Sequence, residues 1–226
     1  MLSVVYRFGL VGYRDAYHLQ TKLLRSKVDG ETSDALLLLE HPPTITIGKS
    51  GKLENVLASH AQLVKEGVSL FFADRGGDVT YHGPGQLVGY PIIDLRQRER
   101  DVHKYVHDLE EVIIRTLGSF SISAGRDKSH AGVWVKNEEV AAIGIRIQKW
   151  ITMHGFALNV KPDLKHFSFI NPCGFRNRQA TSISKLLSED VPMEAVIQRL
   201  IFYFSEVFNT YIYIELGSNI SARSDI

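Results

Sequence analysis

The sequence predicts an α+β fold, a single domain in which a mixed β-sheet is flanked by helices. Strand-length apolar runs and helix-period segments alternate without the regular βαβ rhythm that a parallel sheet would need. No Pro-, Gly- or Ser-rich linker and no internal repeat divides the 226 residues. Residues 1–216 are therefore expected to form one domain, and the polar stretch 217–226 a frayed tail.

In chain order, Val4 to Phe8 reads as a strand. After Gly12, the spacing of Tyr13, Ala16, Tyr17, Leu19, Leu23, Leu24 and Val28 lays one apolar face on a helix that stops at Gly30. The continuous apolar run Ala35 to Leu39 fits a buried strand, His41-Pro-Pro43 a turn, and Thr44 to Gly48 the returning strand. Ser59 is placed to cap a short helix ending at Gly67, and Val68 to Ala73 is a strand that delivers the chain into a glycine-rich stretch. Gln86 to Leu95 resumes as a strand. Its Pro91 cannot donate to a ladder and predicts an edge or a bulge. Asp101 caps the clearest helix, through Leu117 with Gly118 as its stop. Ala131 to Val135 and Val140 to Arg146 bracket the polar tip 136–139 of a hairpin, and Ile151 to Val160 is a strand interrupted at His154-Gly155. A helical turn at Asp163 to Phe169, a helix capped near Thr181 or Ser182, and one opening at Pro192 and running to Phe208 complete the pattern.

Composition excludes several classes. The 26 Lys and Arg nearly cancel the 25 Asp and Glu, so the +1 net charge gives no global attraction to nucleic acid or to an anionic membrane. An acidic partner would have to dock on a local patch, for which Arg96, Arg98, Arg100, Lys104, Arg176 and Arg178 are candidates. A single cysteine forms no internal disulfide, no apolar run approaches bilayer length, and no signal-peptide pattern opens the chain. A cytoplasmic location is the resulting expectation.

The segment Arg75-Gly-Gly-Asp-Val-Thr-Tyr-His-Gly-Pro-Gly85 concentrates four glycines and a proline around Arg75, Tyr81 and His82, the composition of a rigid loop lining a ligand. Cys173, between Pro172 and Gly174, sits in a turn where a sulfur can face a cleft. His82 and His154 are the candidate bases, each beside a glycine; holding their turns by hydrogen bonds to backbone is the competing role. Lys49-Ser-Gly-Lys52 lacks the glycine spacing of a phosphate loop, and no histidine–carboxylate set has zinc spacing.

These segments together resemble a known family. The stretch 75–86, Gly132-Val-Trp-Val135, Ala142-Ile-Gly144, His154-Gly-Phe-Ala-Leu-Asn159 and Pro172-Cys-Gly174 look like those of octanoyltransferases, the lipoyl(octanoyl) transferases of lipoate synthesis, in the same order and spacing from about Leu37 to Leu186. The resemblance implies the fold shared with lipoate and biotin protein ligases. It also implies octanoyl (or lipoyl) transfer from acyl carrier protein to a lysine of lipoyl domains, through a thioester on Cys173, without ATP, metal or other cofactor. The acceptors implied are lipoyl domains of 2-oxoacid dehydrogenases or the glycine cleavage H protein. Arg75, Gly76, Gly77, Asp78, Val79, Thr80, Tyr81 and His82, with Ala142, Ile143, Gly144, His154, Gly155, Phe156 and Ala157, would line the acyl pocket, His82 doubling as a catalytic candidate.

One position departs from the family pattern. Where the family carries a catalytic lysine before the Ala-Ile-Gly strand, this chain has Glu139. A carboxylate beside Cys173 would disfavour the thiolate. Three consequences stand open: compensation by His82, His154 or Lys136; an impaired homologue serving as an acyl- or carrier-binding protein; or a variant residue in an otherwise active parent. An ATP-dependent lipoate or biotin ligase is the further alternative, opposed by the Pro-Cys-Gly motif and the lack of a nucleotide loop.

Overall fold

The computed structural model describes residues 1–127, 130–171 and 179–216. Its main sheet has the order β12-β1-β2-β6-β10-β9-β8-β7, with a short β11 alongside β9. The strands are β1 (Leu2–Leu10), β2 (Asp34–Glu40), β6 (Gln86–Ile92), β7 (Gly125–Arg126), β8 (Gly132–Val135), β9 (Glu138–Gln148), β10 (Ile151–Asn159), β11 (Gln179–Ala180) and β12 (Tyr211–Leu216). Strands β1, β2 and β12 pair in parallel and the central pairs are antiparallel, so the sheet is mixed as expected.

The leucine run of β2 is continuous because both of its faces are covered. Leu36 and Leu38 enter one core with Leu109, Val112, Leu200 and Phe204 of α3 (Val102–Gly118) and α5 (Met193–Val207). Leu37 and Leu39 enter the opposite core with Ala16, Leu19, Leu23 and Leu24 of α1 (Tyr13–Val28). The caps act as the sequence indicates: Asp101 accepts from His103 N and Lys104 N, Ser59 from Gln62 N at the head of α2 (His60–Lys65), and Ser182 from Lys185 N at the head of α4 (Ile183–Leu187). No helix among the described residues is long and apolar enough to cross a membrane.

Two sequence expectations are refined. Strand β3 (Thr44–Ile47) does not return along β2; after Pro42-Pro43 it enters a separate three-stranded sheet, β4-β3-β5, with β4 (Ser69–Phe72) and β5 (Val79–His82). The hairpin tip is also shorter than expected, because Glu138 and Glu139 already belong to β9, opposite Val135 and Trp134. Pro91, in contrast, explains an irregularity. Strand β6 lies between β2 and β10, yet its ladder to β10 ends at Gly89↔Phe156. Two residues on, where Pro91 has no N–H to give, Thr152 bridges the gap by donating its Oγ1 hydrogen to Pro91 O (2.8 Å) while accepting from Ile93 N (2.9 Å).

Candidate active site

A cavity of about 940 Å3 opens between the two sheets. Its floor is the paired stretch of β9 and β10, with Ala142, Ile143, Gly144 and Ile145 facing Ala157, Phe156, Gly155 and His154 in register. Its roof is the glycine loop 75–80, which binds the floor directly through Gly76 N and Ile145 O (2.8 Å). Glycine is required here for close approach. A Cβ on Gly144 would meet Gly76 O at 2.9 Å, and Gly77 holds φ +85°.

The loop is anchored by the turn that follows β3. Gly48 N, Lys49 N and Ser50 N donate to Asp78 O, Arg75 O and Gly77 O at 3.1, 3.0 and 3.3 Å. Those three donors face the loop, which explains why 49–52 is no phosphate cradle. Arg75 is buried; its Nε and Nη2 reach Thr46 Oγ1 at 3.2 and 2.8 Å, Nη2 also reaches Thr46 O, and Nη1 reaches Gly76 O.

The two ends of the cavity differ. Tyr13, His82, Tyr90 and His154 are all buried and form a closed end. Glu139, His130, Gln179 and the exposed Lys185 form the open end. Six residue steps along β9 separate Glu139 from Ile145, the partner of His154, a rise of about 20 Å. The structure therefore does not bring His154 beside Glu139.

The closed end is a histidine network whose tautomers follow from its partners. Gln86 donates its amide to Tyr81 O and Asn159 Oδ1, which turns its Oε1 to His82 Nδ1 (2.9 Å). His82 thus carries its proton on Nδ1, and its Nε2 faces the Thr46 hydroxyl at 3.4 Å. His41 donates from Nδ1 to Val11 O (2.6 Å) and accepts at Nε2 from the Tyr90 hydroxyl (2.7 Å). Burial pushes the imidazole of His41 down to about 4 and holds that of His82 well below 6.5, so both are neutral near pH 7. His154 lies at φ +58° within β10, with its N–H on Gln20 Oε1 (2.8 Å) and its Nε2 on Asp74 Oδ1 (2.7 Å). Burial lowers its basicity too, while the bond from His154 draws the Asp74 carboxyl down to about 2.

At the open end, β10 gives way to β11 along the same edge of β9, with Ala180 paired to Glu139 and Thr181 N donating to Glu139 O (2.9 Å). Asn171 and Gln179, which flank residues 172–178, both line the cavity here. Cys173 itself, with Arg176 and Arg178, lies outside the described residues. Lys185 lines the same end and pairs with Glu138 Oε1 (2.6 Å). No helical or spacing signal marked Lys185 as part of the site.

Nearly all the described residues expected in the pocket line this cavity: Arg75 to Thr80, His82, Glu139, Ala142 to Gly144 and His154 to Ala157. Tyr81 does not. It packs in the small sheet's core against Phe167, its hydroxyl on His166 Nδ1 (2.9 Å), while a Cβ on Gly83 would collide with its ring. Period-two alternation along β5 could have separated Tyr81 from His82. Tyr13 and Tyr90 escaped notice because they follow ordinary helix and strand periods. The proposed docking cations are largely engaged within the chain, Arg96 with Asp94, Arg98 with Asp34, and Lys104 with Asp108. Among the described residues no group of His, Cys, Asp and Glu could hold a metal ion.

Comparison with known proteins gives the family of the chain. The lipoyl protein ligase A/B catalytic domain matches residues 12–205. An octanoyltransferase of Caldicellulosiruptor saccharolyticus is 51% identical over 92% of this chain and 88% of its own length, and one of Desulforamulus reducens is 44% identical over 92% of each. In structure, the bipartite lipoate protein ligase of Thermoplasma acidophilum superposes with a TM-score of 0.74 at 17% identity, covering 98% of this chain and 89% of that one, a likeness of fold alone. The chain belongs to the lipoyl protein ligase A/B catalytic domain family, among its octanoyltransferases.

Proposed function

We propose that this protein transfers an octanoyl group from the thioester of acyl carrier protein to a lysine of a lipoyl domain, through an acyl-enzyme on Cys173. The observation that carries the reading is the cavity itself. It is lined at one end by the buried Tyr13, His82, Tyr90 and His154, floored in part by the small residues Ala142, Gly144, Gly155 and Ala157, and lined at the other end by Asn171 and Gln179, the described residues on either side of the cysteine-bearing segment. The Cys173 thiolate attacks the carrier's thioester carbonyl and the carrier's sulfur leaves as a thiolate, which takes up a proton. The acceptor amine then attacks the new thioester, Cys173 departs as thiolate, and the amine nitrogen gives up a proton as the amide forms. Each step exchanges one acyl bond for another, so no nucleotide is consumed.

His82 and His154 serve this reaction as wall rather than base. Both stand at the closed end, and both nitrogens of His82 face partners within the fold. Glu139 stands at the open end, where a carboxylate near Cys173 would disfavour the thiolate, and among the described residues Lys185 is a cation that lines the same end.

Intact-mass analysis after incubation with octanoyl-carrier protein tests the proposal: an octanoyl adduct is expected in the parent and absent in Cys173→Ala. No adduct from about pH 7 to about pH 9 would replace transfer by acyl or carrier binding. Glu139→Lys is expected to raise the adduct rate at neutral pH by about tenfold or more, on the order of one pKa unit of thiol activation.

A further inference from the structure

The closed end of the cavity is one polar layer thick. His154 forms its inner surface, with a side chain 2% exposed, whereas Asp74 and Arg146, directly behind it, are 29% and 27% exposed. Asp74 is the hub. Its Oδ1 holds His154 Nε2, and its Oδ2 accepts from the Tyr17 hydroxyl (3.0 Å) and from Arg146 Nη1. Four elements thereby converge on one carboxylate: α1, the entry to the glycine loop, β9 and β10. None of Asp74, Tyr17 and Arg146 lines the cavity.

His154 needs such an anchor. A left-handed φ costs a residue with a Cβ about 1–2 kcal/mol, and the neighbouring ladder to β6 is broken, so the strand alone does not fix this residue. Its imidazole is positioned by Asp74 on one side and its backbone by Gln20 on the other. Its second ring nitrogen, Nδ1, is buried with no hydrogen-bond partner among the described residues, so Asp74 supplies the ring's only hydrogen bond seen there.

We propose that Asp74 is a positioning residue that closes the inner end of the acyl pocket through His154 and so sets the longest chain the pocket accepts. This rests on the acyl-pocket reading of the cavity and adds what limits its length. A chain that reaches His154 has no further apolar volume. Its terminal methylenes can advance only by displacing the imidazole, which breaks a charge-assisted bond to a carboxylate that two other donors hold in place. Without that carboxylate the ring is free to swing, and the space behind it leads to solvent.

The test separates the plug from turnover by using Cys173→Ala, which retains the cavity but forms no acyl-enzyme. Thermal stabilisation by free octanoate and by dodecanoate is measured in this background and in its combination with Asp74→Ala, Asp74→Asn or His154→Gly. In the parent background octanoate should stabilise at concentrations about tenfold or more below those needed with dodecanoate. Asp74→Ala should bring the two within about threefold by improving dodecanoate. Asp74→Asn, which keeps an oxygen acceptor for Nε2–H, should retain most of the parent's discrimination. His154→Gly suits the positive φ and should admit dodecanoate even if Asp74→Ala fails to fold.

An unchanged ratio in both Asp74→Ala and His154→Gly would overturn the proposal, as would a uniform weakening of both acids. No stabilisation by either acid in any background would overturn the acyl pocket and the plug together. Binding as expected without an acyl-enzyme in the Cys173 protein would uphold the plug and reject transfer.

Discussion

At the scale of single residues, the closed end is held by imidazoles that must stay neutral. His41 titrates near 6.5 when unfolded and near 4 when folded, because burial disfavours its cation. Between those values the unfolded chain binds more protons, so stability falls as pH falls from 6.5 to 4, and below 4 this group removes no more. A displacement of that size is worth about 3 kcal/mol. His82 acts in the same direction. Asp74, depressed to about 2, has the opposite protonation history: its contribution is intact above 3.8 and is lost only as pH falls towards 2. Acid unfolding followed by urea titration should therefore lose stability first in the histidine window, and His41→Asn, though less stable at pH 7, should show a shallower slope there. An equal slope in both proteins would mean that His41 is not buried neutral. Of these histidines, His82 and His154 were visible in the sequence as candidate bases or turn-holding residues, and His41 only as part of a turn. Their partners Gln86, Thr46, Tyr90 and Asp74 were not, since three of these four contacts join residues 36 to 80 positions apart.

At the scale of elements, the glycine loop is placed by a neighbour rather than by its own sequence. Gly48 sits so close beneath it that a Cβ would overlap Gly77 O and lie 2.8 Å from Arg75 Nη1. Gly48→Ala should accordingly leave the two main cores intact yet shift the roof of the cavity, lowering the rate of acyl-enzyme formation about tenfold or more with a loss of stability of about 1–3 kcal/mol. Parent-like acylation would show that the loop is placed by Arg75 and Thr46 alone. The loop was legible because four glycines and a proline in eleven residues have no ordinary core reading. The turn that holds it was not, because its contribution is backbone N–H groups, which every residue carries. Pro91 was legible for the converse reason: a missing N–H is written in the sequence, and the fold answers it with an interrupted ladder, a Thr152 bridge and the left-handed His154.

At the scale of the whole molecule, the floor strands of the cavity lie inside the main sheet, several strands away from its β12 edge. Strand β12 covers the edge of β1 through six paired positions, from Leu2↔Tyr211 to Arg7↔Leu216, and Ser3 Oγ meets Thr210 Oγ1 at 2.9 Å. Strand β12 carries no distinct signal of its own, since its exposed Tyr211, Tyr213 and Ile214 lack a clear inward face, and its role depends on an edge more than 200 residues away in sequence. A chain ending at Asn209 should leave β1 as an open parallel edge, lowering the thermal midpoint by on the order of 5–10 °C and promoting association through that edge. Its acylation rate well below the midpoint should stay within about twofold, since the floor strands β10 and β9 are four and five places from β12. A chain ending at Leu216 is the matched control. It removes only the polar residues 217–226, and an unchanged midpoint would place the domain boundary at 216, whereas a drop comparable to the longer deletion would assign the tail to the fold. The two deletions together separate stability from chemistry: a loss of acylation in the longer one at a temperature where it remains folded would couple the terminal edge to the cavity across the sheet, contrary to the arrangement of the cores.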